Sequence, residues 1–238
     1  MLVIVTLQCN LECAHCCYSC SINNRTHMKM QVFEQIIQTS REDNVRIAGG
    51  EIFFNPRWRE MLSICDINPV IKKLTIVTSG SLFYYNDGRK TKIMRDFNEI
   101  VNNLENLDIQ IILSNDKFHI EQFTQKKLIE RELLINLINN ERWNENISLV
   151  IEDNVKINPV GRALETEVYT MEPMCRKRIH DDFVLNVDVL TKNYDPNGNV
   201  YLCWNLHGCV GNYMDSDETI FNNYKKLKKQ DGCKTCSL

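Results

Sequence analysis

Short apolar runs alternate with amphipathic stretches along the first part of the chain. Five runs have the length and composition of buried strands, namely residues 2–7, 44–51, 71–80, 108–114 and 147–152. Apolar residues recur at helical spacing between these runs, in residues 28–40, from about 56 onward, in 91–104 and in 120–139. Strand and helix units in this order predict an α/β domain with a parallel sheet, either open or curled into a partial barrel.

The end of this series departs from a regular alternation. A further strand is predicted at residues 155–160, but no helix fits between it and the strand at 147–152. Either one strand-helix unit has been lost, which would give a shortened barrel, or the strand count is off by one.

The pattern changes again in the last third of the chain. Strands are predicted at residues 183–189 and 199–203, joined through the turn-forming sequence YDPNGN, with an amphipathic helix at 217–229. We therefore expect two domains, a barrel over residues 1–165 and a small β-hairpin and helix module over residues 166–238.

Composition and charge exclude several classes of protein. The chain has 238 residues, 43% of them hydrophobic, and a net charge of −3, which gives no electrostatic reason to expect nucleic acid as a partner. No apolar run is long enough to span a membrane, and residues 1–7 lack the features of a signal peptide. A cytoplasmic location is the simplest expectation. Thiols stay reduced there, and eleven cysteines are an odd number, so a disulfide framework is disfavoured.

Five cysteines crowd into the sequence CNLECAHCCYSC near the start of the chain. Cys9, Cys13 and Cys16 have C-x3-C-x2-C spacing, and three thiolates from one loop can hold three irons of a cubane while the fourth iron stays open. A structural zinc site or a closed four-iron cluster needs a fourth thiolate, which Cys17 or Cys20 would have to supply. The loop alone leaves these alternatives open.

Several further segments, taken with this loop, resemble the radical S-adenosylmethionine (radical SAM) superfamily over roughly residues 1–165, and this resemblance implies a partial (β/α)6-type barrel. The histidine before the third cysteine and a Gly-Gly-Glu turn after the second strand carry the resemblance, together with the segments TIVTSG, IILSND and NPVGRA. The residues concerned are His15, Gly49, Gly50, Glu51, Ser79, Ser114, Asp116, Gly161 and Arg162.

The resemblance implies a 4Fe-4S cluster on Cys9, Cys13 and Cys16, with an open iron that binds the amino and carboxylate groups of S-adenosyl-L-methionine. It implies reductive cleavage of that cofactor and hydrogen abstraction from a polar small molecule or a peptide, leading to oxidation, rearrangement or crosslinking. An external one-electron reductant such as flavodoxin or ferredoxin would be required. The sequence does not identify a catalytic side chain of its own.

Roles for single residues follow from the same resemblance. Amides of the turn formed by Gly49, Gly50 and Glu51 would bind the methionine part of the cofactor, and Ser79 occupies the corresponding turn after the third strand. His15 would lie beside the adenine. Ser114 and Asp116 would lie near the ribose, and Arg162 near the carboxylate.

The remaining cysteines suggest a second cluster. The sequence GNVYLC and the terminal C-x2-C resemble the SPASM/Twitch extensions of the superfamily, which implies one auxiliary 4Fe-4S cluster on Cys175, Cys203, Cys233 and Cys236. Cys209 is the natural substitute for Cys175, and a four-cysteine zinc site is the rival interpretation. The rival for the whole chain is a non-catalytic iron-sulfur or zinc protein that serves electron transfer or assembly.

Overall fold

The computed structural model describes residues 1–153, Arg162, residues 192–202 and residues 209–229. The strands within these residues are β1 (Leu2–Thr6), β2 (Asn44–Gly49), β3 (Lys73–Thr78), β4 (Asp108–Ser114), β5 (Ile147–Glu152), β6 (Asn193–Tyr194), β7 (Asn199–Tyr201) and β8 (Gly211–Asn212). The helices are α1 (Met30–Thr39), α2 (Trp58–Ile67), α3 (Lys92–Asn102), α4 (Lys117–Gln125), α5 (Arg131–Asn139) and α6 (Asp217–Lys229).

One sheet contains all eight of these strands, in the order β5-β4-β3-β2-β1-β6-β7-β8. Neighbours from β5 to β6 pair in parallel, whereas β6, β7 and β8 pair antiparallel. The expected α/β class with a mostly parallel sheet is confirmed. Sequential order from β1 to β5, with helices between the strands, is the arrangement expected of a partial barrel.

Burial explains why these segments form strands and helices. Every residue of β1 is buried, which accounts for its uninterrupted apolar sequence. In α1 the buried residues are Phe33, Ile36 and Ile37, whose spacing places them on one face of the helix. None of the described helices is long and apolar enough to cross a membrane.

The single helix predicted at residues 120–139 is wrong. The chain forms two helices there, because α4 ends at Gln125 and Lys127 takes a left-handed conformation with φ 51°. A left-handed residue interrupts the hydrogen-bond ladder of a right-handed helix. No glycine or proline marks this break in the sequence.

The turn predicted through YDPNGN is confirmed, and the hairpin that it closes extends the main sheet. Asp195 Oδ1 accepts a hydrogen bond from the Asn197 amide at 2.8 Å, and Gly198 has φ 79°. The first strand of the hairpin is β6, which pairs with β1. The strands predicted at 155–160 and 183–189 lie outside the described residues, and the domain boundary near 165 stays a prediction.

Parallel pairing determines where a site can form. The carboxyl ends of β1 to β4 meet at one edge of the sheet, and the loops that follow them lie side by side there.

Candidate active site

A cavity of about 360 Å³ lies at this edge of the sheet. The cysteine loop after β1 supplies one wall, and the segments after β2, β3 and β4 supply the others. Nine of the residues singled out in the sequence line it, namely Cys9, Cys13, His15, Cys16, Gly49, Gly50, Ser79, Ser114 and Asp116. The structure therefore brings together residues that are more than 100 positions apart in the chain.

The glycine turn after β2 packs directly against the cysteine loop. A Cβ atom on Gly49 would lie 2.3 Å from the Thr6 carbonyl oxygen, and one on Gly50 would lie 2.2 Å from the Gln8 carbonyl oxygen. Gly49 also has φ 147°, which favours glycine. Both positions therefore require a residue without a side chain.

The amides of this turn hold the loop. The Gly50 amide donates to the Thr6 carbonyl at 2.8 Å, and the Glu51 amide donates to the Gln8 carbonyl at 2.9 Å. Both amides donate within the protein, and the expected role of this turn in binding the methionine part of the cofactor stays a prediction. The amino group of the cofactor's methionine part is itself a hydrogen-bond donor, so its partners must be acceptors such as carbonyl oxygens.

Glu51 contacts the end of β3. Its carboxylate is fully buried and accepts hydrogen bonds from Thr78 Oγ1 at 2.7 Å, from Ser79 Oγ at 2.6 Å and from the Ser79 amide at 3.1 Å. Burial raises the pKa of Glu51, and these hydrogen bonds oppose the shift. The side chain of Glu51 thereby fixes the position of Ser79 in the cavity wall.

Arg131, a residue that the sequence did not single out, joins the ends of β3 and β4. Its guanidinium donates to the carbonyl oxygens of Ser79, at 2.6 Å, and Ser114, and to Asn115 Oδ1 at 2.7 Å. The side chain is buried, and burial lowers the pKa of Arg131 to about 10. A lone arginine in the first turn of α5 gave no signal of this role in the sequence.

Asp116 connects two histidines of the site. Its Oδ1 accepts hydrogen bonds from the Phe118 amide at 2.9 Å and the His119 amide at 3.2 Å, which caps the start of α4. Its Oδ2 lies 2.7 Å from His119 Nδ1 and 3.4 Å from His15 Nε2. Burial alone would raise the pKa of Asp116, but the hydrogen bonds from His119 and His15 hold it well below the usual range.

His15 and His119 lie close to each other at the cavity wall. The His15 ring stacks on Phe118 with a centroid distance of 4.7 Å and meets the His119 ring edge-on at 5.0 Å. No motif in the sequence singled out His119, but it lines the cavity. Its spacing of three residues after Asp116, at the start of a helix, is the signal that could have identified it.

Arg162 contacts the cysteine loop from outside the cavity. Its amide donates to the Cys16 carbonyl at 3.0 Å, and its guanidinium donates to the carbonyls of Cys13 at 2.8 Å and Cys20 at 2.6 Å. These three bonds hold both ends of the segment that carries the second and third thiols. The expected role of Arg162 near the cofactor carboxylate stays a prediction.

The thiol groups fit the requirements of an iron-sulfur cluster. The Leu11 amide donates to Cys9 Sγ at 3.4 Å and the Cys20 amide donates to Cys16 Sγ at 3.3 Å, and such bonds stabilise thiolate ligands. The Cys20 thiol also bonds Cys16 and lowers its pKa, whereas burial raises the pKa of Cys9 to about 12. Cys20 therefore contacts a predicted cluster ligand, but it is not itself one of the three predicted ligands.

Comparison with known proteins agrees with this geometry. No family model matches the chain. The structure of BtrN in complex with AdoMet and 2-DOIA aligns over 98% of this chain and 91% of its own, with a TM-score of 0.56 and 14% identity. Streptococcus suis SuiB bound to precursor peptide SuiA aligns over 92% and 63%, with a TM-score of 0.52 and 16% identity. These proteins are radical SAM enzymes. The chain has the radical SAM fold.

One further solved structure and one curated sequence relative are also similar to this chain. Native anSMEcpe with bound AdoMet and Cp18Cys peptide aligns over 94% of this chain and 81% of its own, with a TM-score of 0.50 and 12% identity. A curated relative, the putative peptide biosynthesis protein YydG of Bacillus subtilis (strain 168), is 26% identical over 117 residues, or 47% of this chain. The match spans about a third of that relative's length, 34%.

Of the five cysteines considered for the second cluster, the structure describes only Cys209. Cys175, Cys203, Cys233 and Cys236 all lie outside the described residues. Cys209 is described, is exposed, and donates its thiol hydrogen to the Gly211 carbonyl at 3.3 Å. Cys65 lies in α2 and is fully buried in the core.

Proposed function

We propose that the protein is a radical SAM enzyme that cleaves S-adenosyl-L-methionine reductively and abstracts hydrogen from a peptide. The observation that carries this proposal is the cavity in which Cys9, Cys13 and Cys16 face the polar ends of parallel strands. When bound there, a 4Fe-4S cluster supplies one electron for breaking a C–S bond of the cofactor, which gives the 5′-deoxyadenosyl radical. Flavodoxin or ferredoxin is the class of external reductant proposed.

The chain's own residues would hold the cofactor at this edge of the sheet. Ser79 and Ser114 present polar groups in the cavity wall, and Glu51 and Arg131 fix the strand ends that carry them. The His15 ring, stacked on Phe118, offers a flat surface for the adenine. A protein that only transfers electrons or assembles clusters has no use for such a cavity beside its thiols, and this disfavours that rival.

A peptide is the proposed substrate class because several similar proteins act with peptides. SuiB is bound to a precursor peptide, anSMEcpe holds the Cp18Cys peptide, and YydG is described as a putative peptide biosynthesis protein. The complex of BtrN with 2-DOIA supports the alternative of a polar small molecule.

We also propose one auxiliary 4Fe-4S cluster on Cys175, Cys203, Cys233 and Cys236, which would accept an electron from the substrate or order its surroundings. The support is the cysteine spacing in the sequence. Anaerobically reconstituted protein should then hold about eight irons per chain, as two cubanes require, and changing Cys9, Cys13 and Cys16 together to Ala should leave about four.

Cofactor cleavage tests the main proposal. With dithionite and S-adenosyl-L-methionine, the reconstituted protein should release 5′-deoxyadenosine even without substrate, and the triple Cys→Ala variant should not. Cys20→Ala is the matched control, and it should keep both the activity and the iron. Loss of activity together with iron in Cys20→Ala would indicate a closed four-cysteine site and overturn the proposal.

Isotope transfer tests the substrate class. A fully deuterated candidate peptide should transfer deuterium to 5′-deoxyadenosine, which mass spectrometry detects. Transfer from a deuterated polyol, with none from peptides, would support the small-molecule alternative.

A further inference from the structure

The cavity wall contains a second set of metal-binding groups, which shares one thiol with the proposed cluster site. Cys13, His15 and His119 each offer one ligand atom, and these three atoms lie within 4.8 Å of one another. From this geometry we propose that the cluster-free protein binds a single divalent transition metal ion, zinc above all, at Cys13, His15 and His119. Because Cys13 belongs to both sites, this ion competes with cluster insertion.

Asp116 orients both imidazole rings for this role. Its Oδ2 lies against Nδ1 of His119 and Nε2 of His15, so the nitrogens that remain are Nε2 of His119 and Nδ1 of His15. A carboxylate on the far nitrogen of a histidine is the usual support of a metal ligand, because it fixes the ring and the tautomer.

The free nitrogen of His15 gives an independent reason to expect a ligand. His15 Nδ1 is buried and has no hydrogen-bond partner among the described residues. Burying a polar atom without a partner is costly, so such an atom usually has a ligand or a water molecule beside it. A metal ion bound to this nitrogen would satisfy it.

The donor set selects the metal. One thiolate and two imidazoles suit zinc or cobalt, and three protein ligands leave a fourth position for water. Tetrahedral zinc places its nitrogen and sulfur ligands about 3.4 Å apart, so the three ligand atoms must move closer together by up to about 1.4 Å to close the site. Binding exchanges the Cys13 thiol proton for the metal, and one proton is released to solvent with no oxidation or reduction.

Cobalt is the probe for this site, because its visible spectrum reports geometry and thiolate ligation. The test uses full-length protein freed of iron by a chelator under anaerobic conditions, in a background of Cys233→Ala and Cys236→Ala that removes the terminal cysteine pair. One Co²⁺ per chain should bind with a tetrahedral spectrum and a charge-transfer band of one thiolate, and zinc should displace it.

Substitutions distinguish this site from an all-cysteine one. His119→Ala should abolish the one-thiolate spectrum, and Asp116→Asn, which can still cap α4, should weaken cobalt binding about 10- to 100-fold. His27→Ala is the matched control, because His27 hydrogen-bonds Thr6 Oγ1 and is not one of the three proposed ligands. This variant should bind cobalt as the parent protein does. Circular dichroism would verify that each variant folds. A band of three or four thiolates that His119→Ala leaves unchanged would overturn the proposal.

Cys16→Ser separates this proposal from the proposed function. It removes a cluster ligand and should abolish the cluster and cofactor cleavage, but it should leave the one-thiolate cobalt spectrum. Preincubation of the cluster-free parent with one equivalent of Zn²⁺ should slow cluster reconstitution, measured by iron content, and His119→Ala should relieve this inhibition. Equal rates with and without zinc would contradict the competition.

Discussion

Replacing Gly50 with alanine tests whether the glycine turn holds the cysteine loop in place. The added Cβ would lie 2.2 Å from the Gln8 carbonyl oxygen, 2.6 Å from its carbon and 3.0 Å from Cys9 Cβ. The nearest atoms belong to the backbone, so no side-chain rotation can relieve the overlap. The loop must move away from the turn by about 1 Å to reach an ordinary contact distance.

The expected loss of stability follows from these contacts. Overpacking costs about 1–3 kcal/mol, and each of the two backbone hydrogen bonds between turn and loop contributes about 1 kcal/mol. The free energy of unfolding should therefore fall by about 3–5 kcal/mol, which corresponds to a decrease in Tm of about 6–20 °C for a protein of this size. Because Cys9 moves with the loop, iron at the N-terminal site should also be lost.

Gly88→Ala is the matched control. Gly88 has φ 80°, so alanine is strained there by about 1–2 kcal/mol, but its Cβ would meet only Leu137 Cδ1, at 3.6 Å. Thermal unfolding and iron content of both variants would be measured after identical reconstitution. If Gly50→Ala kept as much iron as Gly88→Ala and had the same Tm, close approach would not be the reason for glycine at position 50.

Three further substitutions test the groups that support the cavity. Arg131→Lys should lower the free energy of unfolding by about 3 kcal/mol in urea denaturation, because lysine cannot bond three acceptors in one plane, and a loss below 1 kcal/mol would contradict that role. Glu51→Gln should cost about 1–3 kcal/mol, because its amide group would face the hydroxyl and amide donors of Thr78 and Ser79; unchanged stability would refute this. Arg162→Met should speed iron loss to a chelator, because the loop would lose the hydrogen bonds of this guanidinium. Arg25→Met, at an exposed position, is the control and should not change the rate. Equal rates in the two variants would show that Arg162 does not support the loop.

The sheet was predictable because strands buried in a parallel sheet have an easily recognised apolar sequence. Residues 108–114 and 147–152 were predicted as strands and form β4 and β5 with those bounds. Burial on both faces demands a nearly continuous apolar run, and the run ends where the strand leaves the core. The break between α4 and α5 has no comparable signal in the sequence, because it depends on the backbone conformation of Lys127.

The parts of the site contributed by local motifs were also predictable, whereas the contacts between them were not. Cys9, Cys13 and Cys16 share a loop, and their spacing predicts a metal site, although the choice between an open cluster, a closed cluster and zinc depended on the other segments. Arg131 acts on carbonyl oxygens of Ser79 and Ser114, which are distant in sequence. A contact of this kind depends on sheet order, and no local pattern encodes it.

These long-range contacts connect the two halves of the cavity. The turn after β2 bonds the cysteine loop through its amides and bonds the end of β3 through the Glu51 carboxylate. Arg131 continues the connection from β3 to β4, and Asp116 completes it by reaching back to His15 in the cysteine loop. Because each link is buried and polar, breaking one leaves its partner unsatisfied, so the thiol loop and the strand ends that face it are expected to lose their order together.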